Sequence, residues 1–88
     1  MTFEYDENKS SSNKIKHGIN FKEAQQIFDK ENVFIKRAKT IDLEERYTIT
    51  GMFGDKCYTV VFTFRGANIR LISARRCRKN EKKRIIHD

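Results

Sequence analysis

Four arginines, Arg46, Arg65, Arg70 and Arg75, pose the chemical question of this chain. A guanidinium is planar, permanently charged and donates paired hydrogen bonds, which suits it to phosphate. The segments that carry these arginines read as strands. Arg46–Phe53 alternates, with Tyr47, Ile49, Gly51 and Phe53 on one side and Arg46, Thr48, Thr50 and Met52 on the other. Lys56–Arg65 sets Tyr58, Val60, Phe62 and Phe64 against Thr59, Val61, Thr63 and Arg65. Between them Gly54-Asp55 suits a two-residue type II′ turn, which wants glycine first and would bring Arg46 opposite Thr63. A second pair, Gly66-Ala67, leads into Asn68–Ala74. As a two-residue loop it places Arg70 opposite Thr63; a three-residue loop would flip the last strand and present Ser73 and Arg75 instead. Either register adds an arginine to an open face of threonines and guanidinium groups. The competing reading takes threonine there as strand propensity and arginine as solubility.

The elements that must position this face follow from local signals. Phe3-Glu4-Tyr5 alternates as a short edge strand. Asp6 caps a first helix running through Asn13-Lys14-Ile15-Lys16-His17, with Gly18 as its stop. Asn20-Phe21-Lys22-Glu23 has the form of a capping box, and Phe21, Ala24, Ile27 and Phe28 form the apolar face of a second helix. Val33-Phe34-Ile35 begins the strand series, and Lys36, Arg37 and Lys39 read as solvated loop cations. After the last strand the chain turns at Ser73-Ala74-Arg75 and continues to Arg84 as a basic helix. The expected architecture is α+β: a short N-terminal strand, two helices, an antiparallel four-stranded meander and a C-terminal basic helix.

Composition narrows the partners. The chain has 88 residues, a formal net charge of +7 and no proline, so a single domain spanning 1–88 is expected. Such an excess of charge attracts polyanions, whether nucleic acid or an acidic protein. No apolar stripe accompanies the cations and no apolar run reaches the roughly 18 residues of a membrane span, so no membrane partner is expected. Met1-Thr2-Phe3-Glu4 does not open like a signal peptide, which points to the cytoplasm. There Cys57 and Cys77 would be reduced and simply packed, and with His17 and His87 far apart no metal-ligand spacing exists.

The chain also resembles the BrnT toxins of bacterial type II toxin–antitoxin systems. The resemblance rests on Phe3-Glu4-Tyr5-Asp6 with Asn8-Lys9, then Asn13, Lys16-His17-Gly18-Ile19, Phe21, Glu23-Ala24 and Phe28. It continues through Glu45-Arg46 ahead of Gly51, Val60-Val61-Phe62-Thr63 and Arg70-Leu71-Ile72-Ser73-Ala74-Arg75 to Glu81. Two places depart from the family: Tyr5 stands where tryptophan is usual, and Arg84-Ile85-Ile86-His87 lies where relatives often carry a tyrosine. What the resemblance implies is a RelE-like fold and a ribonuclease that arrests translation without a cofactor. A BrnA-like antitoxin would neutralise it, and DNA would be met only through the toxin–antitoxin complex.

RNA cleavage of that kind needs a 2′-hydroxyl to attack the adjacent phosphate, a base and an acid to move protons, and cations to stabilise the phosphorane. Arg46, Arg65, Arg70 and Arg75 are the expected charge stabilisers, with His17 and Glu45 as candidates for proton transfer. Glu45 neighbours Arg46 in sequence and so points to the opposite side of a regular strand. His17 titrates near ~6.5 when unperturbed, yet it also suits a helix C-terminus, where it meets the dipole. Lys14, Lys16, Arg76, Arg78 and Lys79 would hold the RNA backbone. The alternative is a non-catalytic module that binds nucleic acid or antitoxin.

Overall fold

The computed structural model describes residues 2–86; Met1, His87 and Asp88 lie outside them, and so does any role for His87. Helix α1, Glu7–His17, starts where Asp6 accepts hydrogen bonds from the backbone N–H groups of Asn8 and Lys9, which hold its carboxyl below the usual carboxylate range. It stops at Gly18, whose φ of 79° a side chain would resist. The capping box of α2, Phe21–Ala24, is complete: the Asn20 side chain accepts from the Glu23 N–H and the Glu23 side chain accepts from the Asn20 N–H. The expected second helix is shorter than its apolar pattern. After Ala24 the chain tightens into a 3₁₀ turn, Gln25–Asp29, which still presents Ile27 and Phe28 to the core.

Strands β1 (Thr2–Glu4), β2 (Phe34–Arg37), β3 (Tyr47–Phe53), β4 (Lys56–Arg65) and β5 (Asn68–Arg76) form one sheet in the order β1-β5-β4-β3-β2. The antiparallel meander of four strands is present, but β1 joins it in parallel beside β5, so the sheet is five-stranded and mixed. Both tight turns hold two residues, since Phe53 pairs with Lys56 and Arg65 with Asn68. Gly54 and Gly66 take φ of 63° and 60°.

One face of the sheet carries the core. Ile49, Tyr58, Val60, Phe62, Ile69, Leu71 and Ala74 pack under Ile19, Phe21, Ala24 and Ile27. A Cβ on Gly51 would come within 2.8 Å of Ile27 and 3.0 Å of Val33, so glycine is needed where the 3₁₀ turn presses on β3. Buried Asn13 does the work of a missing strand. Because β1 pairs only with Asn68–Arg70, the outer edge of β5 is bare further on. There Asn13 Nδ2 donates to the Ala74 carbonyl at 2.8 Å and Oδ1 accepts from the Ala74 N–H at 3.2 Å. The same Nδ2 donates to the Ile19 carbonyl at 2.8 Å. One carboxamide thus ties the helical layer to the sheet and pairs the buried Ala74 N–H, Ala74 carbonyl and Ile19 carbonyl.

Two expectations about the C-terminal third are corrected. The chain does not turn at Ser73-Ala74-Arg75; β5 continues to Arg76 and helix α3 starts at Lys79, running Lys79–Ile85. Ser73, Ala74 and Arg75 are regularly paired, and the irregularity is a bulge one residue earlier: Phe62 pairs with Leu71 and Val61 with Ser73, leaving Ile72 as the extra residue. The cysteines, expected reduced, form a disulfide with Cα atoms 5.3 Å apart. The extended β5 brings Cys77 beside Cys57, where its N–H donates to the Cys57 carbonyl at 3.0 Å, and the two side chains then lie within bridging reach.

Candidate functional site

The bulge decides where the arginines go. Residues 70 and 75 have opposite parity and in a regular strand would point to opposite faces. The inserted Ile72 resets the alternation, so Arg70 pairs with Thr63 and Arg75 with Thr59, both on the face away from the core. The alternatives set by the loop length are therefore both realised, by a two-residue loop followed by a bulge. Arg46, one residue before the Tyr47–Phe62 pair, comes beside Thr63 on that same face, and Arg65 ends it.

Successive cross-strand rows run over this face. The first holds Glu4, Arg70, Thr63 and Arg46. The next holds Ser73, Val61, Thr48 and Lys36, and a third holds Arg75, Thr59, Thr50 and Phe34. The face is not wholly open, as the alternation alone implies. Helix α3 lies across its third row, with Arg84 over the Phe34 ring at 4.9 Å and Ile85 buried. Thr48, Thr50, Thr59 and Thr63 are buried rather than solvated. Thr50 and Thr59 bond to each other at 2.8 Å, and Thr63 donates to the Glu45 carbonyl at 2.7 Å, so these hydroxyls are structural.

Carboxylates meet every arginine of the face. Glu81 receives Arg75 through two nitrogens at 2.8 and 2.9 Å and also caps α3 by accepting from the Arg78 N–H. Arg75 and these bonds hold the Glu81 carboxyl down at about 2, while the same pairing raises Arg75. Arg70 donates to Glu4 at 3.1 Å. Glu44 lies 3.4 Å from Arg65 and 3.7 Å from Arg46. The Arg46 Nε is buried and has no hydrogen-bond partner, the one such side-chain atom among the described residues. A buried donor without a partner is costly.

The remaining sequence candidates scatter. Glu45 is on the core side, held by Arg37 and the Tyr47 hydroxyl. His17 is exposed at the end of α1 and lines a surface cavity of about 220 Å³ with Lys16, Asn13, Ile72 and Ser73, at the bare edge of β5. Lys14 is paired with Glu23 at 2.9 Å on the helical side. Arg76 stacks over Tyr58 with its guanidinium 5.8 Å from the ring centre, and Arg78 and Lys79 begin α3. Arg78 and Lys79 lie with α3 on the arginine face, whereas Lys14 and Arg76 are on the helical side of the sheet and Lys16 is at the bare edge of β5. Sequence reasoning missed Glu4 and Glu81 as members of the site. Glu81 carried a usable signal, standing three residues after Arg78 at the start of a helix; Glu4 carried none, because its place depends on parallel pairing.

No curated relative is matched by sequence comparison. A family model described as the ribonuclease toxin, BrnT, of type II toxin–antitoxin systems matches residues 5–81, which span the helical layer, β2 to β5 and the start of α3. A match of that extent, over a fold that sets four arginines on one face, identifies this chain as a member of the BrnT ribonuclease toxin family.

Proposed function

We propose that this chain is an endoribonuclease that cleaves mRNA and arrests translation, by metal-independent attack of a 2′-hydroxyl on the adjacent phosphate. The observation that carries this reading is the bulge at Ile72, which brings Arg70 and Arg75 onto the face that also holds Arg46 and Arg65. In the phosphorane, charge builds on non-bridging oxygens, and fixed guanidinium groups stabilise it without reorganising. Arg78 and Lys79 at the start of α3 hold the RNA backbone beside this face and Lys16 holds it at the edge of β5, while Lys14 and Arg76 meet it only where it passes to the helical side. A cognate BrnA-like antitoxin neutralises the toxin by covering the same arginines, and the pair meets DNA only as a complex.

The rival reading is a non-catalytic module binding nucleic acid or antitoxin. One observation favours it: Ile85, in the neighbourhood where relatives often carry a tyrosine, is buried and offers no proton. A cleavage assay on purified protein with RNA in EDTA separates the two. The enzyme reading expects cleavage by the wild type and a loss of about 10²–10³-fold in Arg70→Ala and Arg46→Ala, with melting temperatures showing that both variants fold. RNA bound but left uncut by the wild type would establish the binding module.

A further inference from the structure

We propose that Glu4 is the general base of this site, accepting the proton of the attacking 2′-hydroxyl from its place beside Arg70. The inference rests on the ribonuclease reading and assigns a role that neither sequence candidate fills from its position. The arginine face needs a proton acceptor one contact away from the cation that holds the phosphate, because the 2′-oxygen and the phosphorus it attacks are neighbours. Among the described residues, three carboxylates pair with the arginines of this face: Glu4, Glu44 and Glu81.

Two of the three are committed elsewhere. Glu81 spends both oxygens on Arg75 and one of them also on the Arg78 N–H, and with its carboxyl held at about 2 it has little driving force to take a proton from a hydroxyl. Glu44 has one oxygen toward Arg65 and the other toward Arg46, which ties it to two cations at the corner of the sheet. Glu4 differs from both. Its Oε2 takes Arg70 at 3.1 Å, while Oε1 accepts no hydrogen bond from any described residue. Its side chain is 33% exposed and that of Arg70 is 27% exposed, so both are within reach of a ligand lying on the face. Glu45 faces the core side, and His17 stands across the edge of β5 with no hydrogen bond from a described residue to orient its ring.

The geometry makes Glu4 and Arg70 a unit. Parallel pairing of β1 with β5 sets residues 66 positions apart side by side in the first row, with Thr63 and Arg46 continuing it. A phosphate oxygen held by Arg70 lies one hydrogen bond from the carboxylate already in contact with that arginine. In the reaction Glu4 Oε1 takes the 2′-hydroxyl proton as the O2′–P bond forms, and Arg70 and Arg46 face the charge on the phosphorane. The P–O5′ bond then breaks with its electron pair on the 5′-oxygen, which takes a proton from water, and the hydroxide so formed removes the proton from Glu4. The products are a 2′,3′-cyclic phosphate and a 5′-hydroxyl end.

Glu4→Gln keeps the size of the side chain and its contact with Arg70. It is expected to lower kcat for RNA cleavage by about 10²–10⁴-fold and to remove the acidic limb of the pH–rate profile. Binding of an all-2′-deoxy oligonucleotide, which cannot react, is expected to hold or tighten, because the variant removes a carboxylate that competes with phosphate for Arg70. A merely structural role for Glu4 would weaken binding and melting temperature together and leave the shape of the pH profile alone. Cleavage by Glu4→Gln within about threefold of wild type, or an acidic limb that disappears in His17→Ala but persists in Glu4→Gln, overturns the assignment while leaving the ribonuclease reading in place. Absence of cleavage by the wild type overturns both.

Discussion

Asn13 is a position where the loss of one polar side chain should cost the fold heavily. Its carboxamide makes three buried hydrogen bonds, to the Ala74 N–H, the Ala74 carbonyl and the Ile19 carbonyl, and Ala74 and Ile19 are themselves fully buried. At about 1 kcal/mol for each bond, Asn13→Ala should lose about 3 kcal/mol, since the stranded backbone groups have no substitute partner. In a domain of this size that is a fall in melting temperature of roughly 15 °C. Asn13→Asp sharpens the test, because it preserves shape and reverses the hydrogen-bonding. The oxygen that replaces Nδ2 would face two carbonyl oxygens, so at pH 7 the aspartate variant should be less stable than the alanine one. Protonation restores one donor, which raises the folded-state pKa of that carboxyl; its stability is regained as pH falls and lost as pH rises through that raised value. Urea unfolding of wild type and both variants at pH 7 and pH 4 reads this directly. An alanine variant within about 0.5 kcal/mol of wild type, or an aspartate variant that equals wild type at pH 7, would refute the account of Asn13 as a surrogate strand.

Two further outcomes concern the C-terminal third. The Cys57–Cys77 disulfide closes a loop of 20 residues, so reduction or Cys77→Ser should cost about 3 kcal/mol in the chain-entropy account, read as a shift of the urea midpoint with and without a thiol reductant. Unfolding midpoints that do not respond to reductant would mean the bond adds nothing to the fold. Glu81 gives an acid-sensitive contribution. Its folded pKa of about 2 lies below the 4.5 of an ordinary glutamate, so the folded state binds fewer protons than the unfolded one. The stabilisation is complete above about pH 4.5 and drains as pH falls toward 2; by the size of that shift it is roughly 3 kcal/mol. Glu81→Gln should flatten that part of the stability–pH curve, and a curve unchanged from wild type would remove Glu81 as its cause.

Much of the layout of the site was legible in the residues. Asp6, Gly18 and the Asn20/Glu23 pair act within one helical turn, and Gly54 and Gly66 act within one hairpin, so each carries its structure in a few adjacent side chains. Those turns, with strict alternation in β3 and β4, set the registers that put Arg46 and Arg70 beside Thr63. Such features rest on hydrogen bonds and steric preferences between near neighbours, which is why the string of residues sufficed for them.

The rest depends on pairs of segments that meet only in the folded chain. The bulge at Ile72 is a mismatch between two strands, and neither strand alone records that one partner carries an extra residue. The three-residue β1 reaches β5 in parallel from the far end of the chain, so nothing near Glu4 announces Arg70. Helix α3 is basic enough to read as solvated, yet Ile85 and the Glu81–Arg75 pair turn it onto the sheet over Thr50 and Thr59, which alternation had placed in solvent and which are buried. The cysteines became partners when β5 ran past its expected end. Local chemistry could specify the strands and most of their register. The bulge, the parallel edge strand and the helix laid over the face are what convert four arginines in a sequence into one surface, because each is a choice between contacts whose partners lie tens of residues apart.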